Sequence, residues 1–231
     1  MTDSRHKPGD SADPHGDQPT FNAGPTVENA DLTLLLLHGR GATAQGMLSL
    51  YSALGLETVS AIAPQAAGNT WYPNSFLSPL ESNQPFLDSA LRRIESLVDS
   101  LIARGIQSER IALLGFSQGA CLTLEFVARH PLRYAAVIGL TGGLIGPPGT
   151  PRTYRGSLAG TPVFLGTSDP DPHVPFNRVK ETEAVLSRMG AEVELRRYPG
   201  MPHTIDRDEL DAARTLFERV IAARKEHHDR Q

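Results

Sequence analysis

The run Gly115-Phe116-Ser117-Gln118-Gly119 sets a serine between the apolar block Ile111 to Leu114 and a helix containing Leu122, Leu124, Phe126 and Val127. A strand, a sharp turn and a helix in that order would lift the Ser117 hydroxyl above a sheet, and flanking glycines give the turn room. The helix start would also place amide groups and positive dipole beside an oxyanion formed there. A Gly/Ser-rich turn without chemistry is the alternative for the bare pattern, and the surrounding strand and helix argue against it. A serine attacks only when a base takes its proton, and the base needs an acid to fix its tautomer and orientation. Both are available downstream. After the apolar stretch Val163 to Gly166 comes Thr167-Ser168-Asp169-Pro170-Asp171-Pro172-His173-Val174-Pro175, and after a further strand comes Gly200-Met201-Pro202-His203-Thr204. An acid at Asp169 or Asp171 and a base at His203 give the order serine, aspartate, histidine, each at a strand end.

Together with Leu37-His38-Gly39-Arg40-Gly41 and Pro199-Gly200-Met201-Pro202-His203, these runs resemble the phospholipase/carboxylesterase family of α/β-hydrolases. That family includes bacterial carboxylesterases and acyl-protein thioesterases, and the resemblance spans roughly Leu32 to the end of the chain. It implies Ser117 as nucleophile, Asp171 as triad acid and His203 as general base. It selects Asp171 over Asp169 because the family acid stands directly before a Pro-x-Val-Pro segment. The implied reaction is hydrolysis of a small-molecule carboxylic ester or thioester through an acyl-enzyme, with no cofactor and no metal.

An oxyanion hole needs two fixed donors, one after the nucleophile and one from the loop following the first core strand. Those are the backbone amides of Gln118 and Arg40. Arg40 departs from the family pattern, where an apolar residue, often leucine, is commonest. Its guanidinium either lies near the acyl pocket and recognises an anionic group, or points to water or an acidic neighbour. Trp71, Tyr72 and Phe76, with Leu77, cluster in a long loop that borders the cleft in the family. They are read as substrate-binding walls, with a small satellite core beneath the loop as the alternative. His38 is expected to hold the oxyanion loop by a side-chain hydrogen bond, His173 to be a solvated loop residue, and His130 to be structural at a helix end. Cys121, one turn after Ser117, is read as packing. Two rivals stand beside the esterase reading: a dienelactone-hydrolase-like or aromatic-ester enzyme, suggested by Arg40 and the Trp71 loop, and a non-catalytic α/β-hydrolase-fold protein that binds a ligand or partner.

The elements that must position these residues follow from hydrophobic pattern. Leu32 to Leu37 is a short apolar block that reads as a strand buried on both faces, and Thr58 to Ala63, Arg110 to Gly115, Ala135 to Leu140, Val163 to Gly166 and Glu192 to Tyr198 are similar. Helical spacing marks Gln45 to Ala53, Phe86 to Ile102, Ser117 to His130, Phe176 to Met189 and Glu209 to Arg224. The alternation predicts an α/β fold, a mostly parallel central sheet with helices on both faces, over residues 26–231. Gln65 to Pro85 and Gly142 to Gly160 are expected as long loops. Residues 1–25, rich in Asp, Pro, Gly, Ser and His, are expected as a disordered tail, since ordering them would bury little.

Composition narrows the function classes. The chain has 231 residues, 39% hydrophobic and 21% charged, which suits one folded domain. Its formal charge of −4 gives no general attraction for nucleic acid. The single cysteine excludes an intrachain disulfide and suits a reducing compartment. No apolar run is long enough for an integral membrane segment, so a soluble, cytoplasmic protein is expected, and a homodimer is a reasonable assembly.

Overall fold

The computed structural model describes residues 13–228. Its seven-stranded sheet has the order β1 (Thr20–Ala23), β3 (Val59–Pro64), β2 (Leu32–Leu37), β4 (Ile111–Phe116), β5 (Ala136–Leu140), β6 (Pro162–Asp169) and β7 (Glu192–Pro199). β1 pairs antiparallel with β3, and every other pairing is parallel. The five leucines of β2 show why it is apolar on both faces. Leu32, Leu34 and Leu36 enter the core on one face of the sheet, Leu35 and Leu37 the core on the other. Each of these fully buried side chains contributes about 2 kcal/mol relative to exposure.

On one face pack α1 (Ala44–Leu54) and α5 (Arg207–His228), whose Met47, Tyr51, Leu54, Ala213 and Phe217 join that core. On the other lie α2 (Phe86–Ala103), α3 (Gln118–Arg129) and α4 (Phe176–Arg188). The apolar face expected for α2 is the buried one, with Leu87, Leu91, Ile94, Val98 and Leu101 turned inward. β7 closes one edge of the sheet with alternating exposed residues, including Glu192 and Glu194, a pattern that discourages further strand pairing.

The expectation of disorder through residue 25 is corrected for residues 13–25; residues 1–12 lie outside the described residues. Thr20–Ala23 forms β1, in register from Thr20 opposite Pro64 to Ala23 opposite Ala61, and His15 is fully buried. Backbone pairing supplies the order here, and composition does not register it. Gly142 to Gly160 is irregular, as expected, yet its first residues are buried. Side chains meet their polar groups: Arg178 donates to the carbonyls of Leu144 and Gly146 (2.7 and 2.6 Å), and the amide of Ile145 donates to Glu125 (3.0 Å).

Candidate active site

Ser117 sits between β4 and α3 with φ 54° and ψ −117°, a backbone conformation that an L-residue holds only when its surroundings impose it. Those surroundings are tight. A Cβ on Gly119 would be driven into the carbonyl of Leu37 at the end of β2, so α3 can start this close to the sheet only with glycine there. The Ser117 amide donates to Leu140 at the end of β5 (2.9 Å), which ties the turn to the neighbouring strand.

His203 follows β7, and Asp171 follows β6. His203 Nε2 lies 2.8 Å from Ser117 Oγ, and His203 Nδ1 lies 2.7 Å from Asp171 Oδ2. The Asp171 side chain is completely buried, and the His203 ring is mostly so. Burial pushes the Asp171 pKa up, but hydrogen bonds from His203, the Ser168 hydroxyl and the amides of Val174 and His173 outweigh it, leaving the carboxyl below its ordinary value. An ionised Asp171 only accepts, so Nδ1 carries the His203 proton and Nε2 accepts from the serine hydroxyl. This is the proton arrangement that nucleophilic attack requires. Asp169, the competing acid, turns away into an ion pair with Arg197 at 2.5 Å. His173 is exposed, and its ring stands edge-on to His203 with centroids 4.9 Å apart.

The loop after β2 passes directly over the serine: a Cβ on Gly39 would lie 3.4 Å from Ser117 Cβ and 3.2 Å from Phe116 Cδ1. His38 is fully buried and fixes this loop. The Ala66 amide donates to its Nε2 (3.1 Å), so the ring proton sits on Nδ1 and is donated to the Gly39 carbonyl (2.8 Å). With the Gly39 carbonyl held by the imidazole, planarity turns the Arg40 N–H of the same trans peptide to the opposite side. The second expected donor, the Gln118 amide, opens α3, where orphan amides and the helix dipole both favour negative charge.

Arg40 lies neither free in water nor beside an acid. It donates to the carbonyls of Pro73 (2.8 Å) and Asn74 (2.6 Å), strapping the loop after β2 to the long loop opposite. The expected substrate walls are also placed differently. Trp71 and Tyr72 are 0% and 1% exposed and Phe76 is 7%, all within the main core, so in this conformation the first two offer a ligand no surface. They are core residues, as the alternative of a core beneath the loop has it, but they join the main core and form no separate satellite. Trp71 Nε1 donates to the His38 carbonyl (2.9 Å), while its amide donates to Gln118 Oε1 (2.9 Å) and Gln118 Nε2 donates to the Tyr72 carbonyl (2.8 Å). The Gln118 side chain thus clamps this loop to the start of α3. The sequence held a hint of it, a long amide next to the nucleophile with nowhere apolar to go. Cys121 is buried and its thiol is pushed up to about 12 by burial, which suppresses thiolate chemistry.

The chain belongs to the phospholipase/carboxylesterase family, whose model matches residues 24–221. A phospholipase/carboxylesterase from Dyadobacter fermentans has a similar structure, with a TM-score of 0.84 and 44% sequence identity, over 87% of this chain and 96% of that one. Acyl-protein thioesterase 1 of Saccharomyces cerevisiae is 28% identical over 220 residues, 85% of this chain and 96% of that protein. Its counterpart from Debaryomyces hansenii is 24% identical over 227 residues, 88% and 97% of the two chains. The sheet order, the helices on both faces and the family match together define an α/β-hydrolase. Among the described residues no helix is long and apolar enough to cross a membrane.

Proposed function

We propose that the protein hydrolyses carboxylic esters or thioesters of small molecules through an acyl-enzyme on Ser117. The observation that carries this reading is the continuous hydrogen-bonded line from Ser117 through His203 to a buried, ionised Asp171. Ser117 Oγ attacks the substrate carbonyl as its proton passes to His203 Nε2, and Asp171 stabilises the imidazolium that forms. The amides of Arg40 and Gln118 hold the developing oxyanion. The leaving alcohol or thiol takes the proton from His203. Water then repeats the sequence on the acyl-serine and releases the acid. No metal or organic cofactor enters this scheme. Action in the cytoplasm, as a homodimer and without nucleic acid, belongs to the same proposal.

The deciding experiment is fluorophosphonate labelling with ester and thioester kinetics on the wild type and Ser117→Ala. Labelling is expected to vanish in the variant, and turnover to fall by roughly 10⁴-fold or more. A folded Ser117→Ala protein that still labels or turns over would overturn the assignment. A panel of short-chain, long-chain and aromatic acyl groups, each as oxoester and thioester, identifies the substrate class. No single contact of Arg40 favours the lactonase reading, because two of its donors serve the chain's own carbonyls.

A further inference from the structure

His15 lies ahead of the residues that match the family model, in a segment pinned along α2. Its amide donates to Ser89 Oγ (3.0 Å), Ser89 donates to Asp13, and Arg93 donates to the Gln18 carbonyl (2.9 Å) and to Thr20 Oγ1 (2.7 Å). The imidazole itself is 0% exposed, a high cost for a polar ring unless both nitrogens are satisfied. Both are. The Ala67 amide donates to Nδ1 (3.1 Å), so the ring proton sits on Nε2, which donates to the Trp71 carbonyl (2.9 Å).

The adjacent residue, Ala66, donates to His38 in the same way. Two neutral imidazoles therefore accept from consecutive amides, and each spends its proton on a carbonyl, Trp71 for His15 and Gly39 for His38. The Trp71 ring lies between them, its centroid 5.4 Å from His15 and 5.0 Å from His38. Burial lowers the pKa of both rings, with the carbonyl hydrogen bonds opposing it. Trp71 in turn holds the His38 carbonyl with its indole N–H and the Gln118 side chain with its amide. His15 thus abuts a residue that bonds to both halves of the oxyanion site.

We propose that His15 is a positioning residue for the oxyanion site, acting through Trp71 on the Gly39–Arg40 peptide and on the start of α3, so that the N-terminal segment completes the active site. This rests on the assignment of Ser117 and the oxyanion amides above.

The experiment compares wild type, His15→Ala and His15→Gln in kcat and KM for a neutral short-chain ester, and in affinity for a trifluoromethyl ketone. The serine adds to that inhibitor's carbonyl and creates the same oxyanion. His15→Ala is expected to lower kcat by about 10-fold to 10²-fold, with a parallel loss of inhibitor affinity and KM within about threefold, the pattern of a misplaced oxyanion donor. His15→Gln, which keeps an amide nitrogen able to donate to the Trp71 carbonyl, should recover most of both. Should His15→Ala fail to fold, His15→Asn replaces it, keeping an acceptor for the Ala67 amide and losing the donor to Trp71. A folded variant with unchanged kcat and inhibitor affinity, or with kcat lost while inhibitor affinity stays, overturns the proposal. Ser117→Ala run in parallel separates the two claims: an active Ser117→Ala defeats the nucleophile assignment, whereas an inactive one beside an unimpaired His15→Ala defeats only the role of His15.

Discussion

Asp206 and Glu209 cap the start of α5 reciprocally: the Asp206 amide donates to Glu209 Oε2 (3.1 Å) and the Glu209 amide donates to Asp206 Oδ1 (2.9 Å). The cap stands three residues after His203, so it also ends the loop that carries the imidazole. Its carboxyl is fully buried, and among the described residues Glu209 Oε1 has no hydrogen-bond partner.

That arrangement gives a pH-dependent stability. Burial raises the Glu209 pKa from 4.5 to about 7. The folded state then binds a proton that the unfolded state has already released, so stability falls as pH rises between those two values and stays lower above them. Glu209→Gln keeps the cap's acceptor without the charge. It is expected to stabilise the protein by on the order of 1–3 kcal/mol at pH 8 and by little at pH 4. Urea unfolding of both proteins at the two pH values checks this; equal stabilities at pH 8 would show that the buried carboxylate carries no penalty.

The two aspartates of the β6 loop should separate cleanly in kinetics. Asp171→Asn keeps an oxygen for the His173 and Val174 amides but sets an NH2 donor against His203 Nδ1, which favours the wrong tautomer, and should cost about 10²-fold to 10⁴-fold in turnover. Asp169→Asn loses only a partly exposed ion pair with Arg197 and should stay within about twofold. Parallel kcat measurements on one ester suffice, and a larger loss at Asp169 would reverse the assignment.

Arg40→Leu keeps the backbone amide and removes the two bonds to Pro73 and Asn74. Turnover of a neutral short-chain ester is expected to stay within about tenfold, because loss of an oxyanion donor would cost ~10²-fold to 10³-fold. With these donors already engaged, kcat/KM for a carboxylate-bearing analogue should fall by the same factor. A selective loss on the anionic substrate would instead assign the guanidinium to recognition.

Gly119→Ala is expected to destabilise the fold by roughly 3 kcal/mol or more, since the intruding methyl meets backbone that has no rotamer to change. The readout is the urea midpoint; a shift below about 1 kcal/mol would show that β2 and α3 can separate at no great cost.

How much of this was legible depended on whether the cause was local. Strands buried on both faces announce themselves as predominantly apolar runs, and Leu32 to Leu37, broken only by Thr33, coincides with β2. The serine turn carries its own steric demand in the neighbouring glycines, and the geometry joins the three residues that the motifs singled out. β1 left too faint a trace, because a four-residue edge strand is held by its partner's backbone, and the alternation of Thr-Phe-Asn-Ala, with Phe21 and Ala23 turned to the core, is too short to stand out from an otherwise polar segment. His15 was hidden for the same reason. Its hydrogen-bond partners Trp71, Ala67 and Ser89 lie more than fifty residues away. An aromatic cluster in a loop fits a binding wall and a core plug equally well in sequence, and only the folded chain, with Trp71 buried and its indole bonded to His38, decides between them.

The buried Cys121 has a practical side. It is the only thiol in the chain, it is 1% exposed, and it stays protonated at any pH suited to an assay. A disulfide dye that reports free thiols therefore meets none on the folded protein, and colour formed during turnover measures only the thiol released from a thioester. Alkylating reagents should leave the rate untouched for the same reason, so thioester cleavage by this protein can be followed continuously and told apart at once from cleavage by an enzyme that attacks through cysteine.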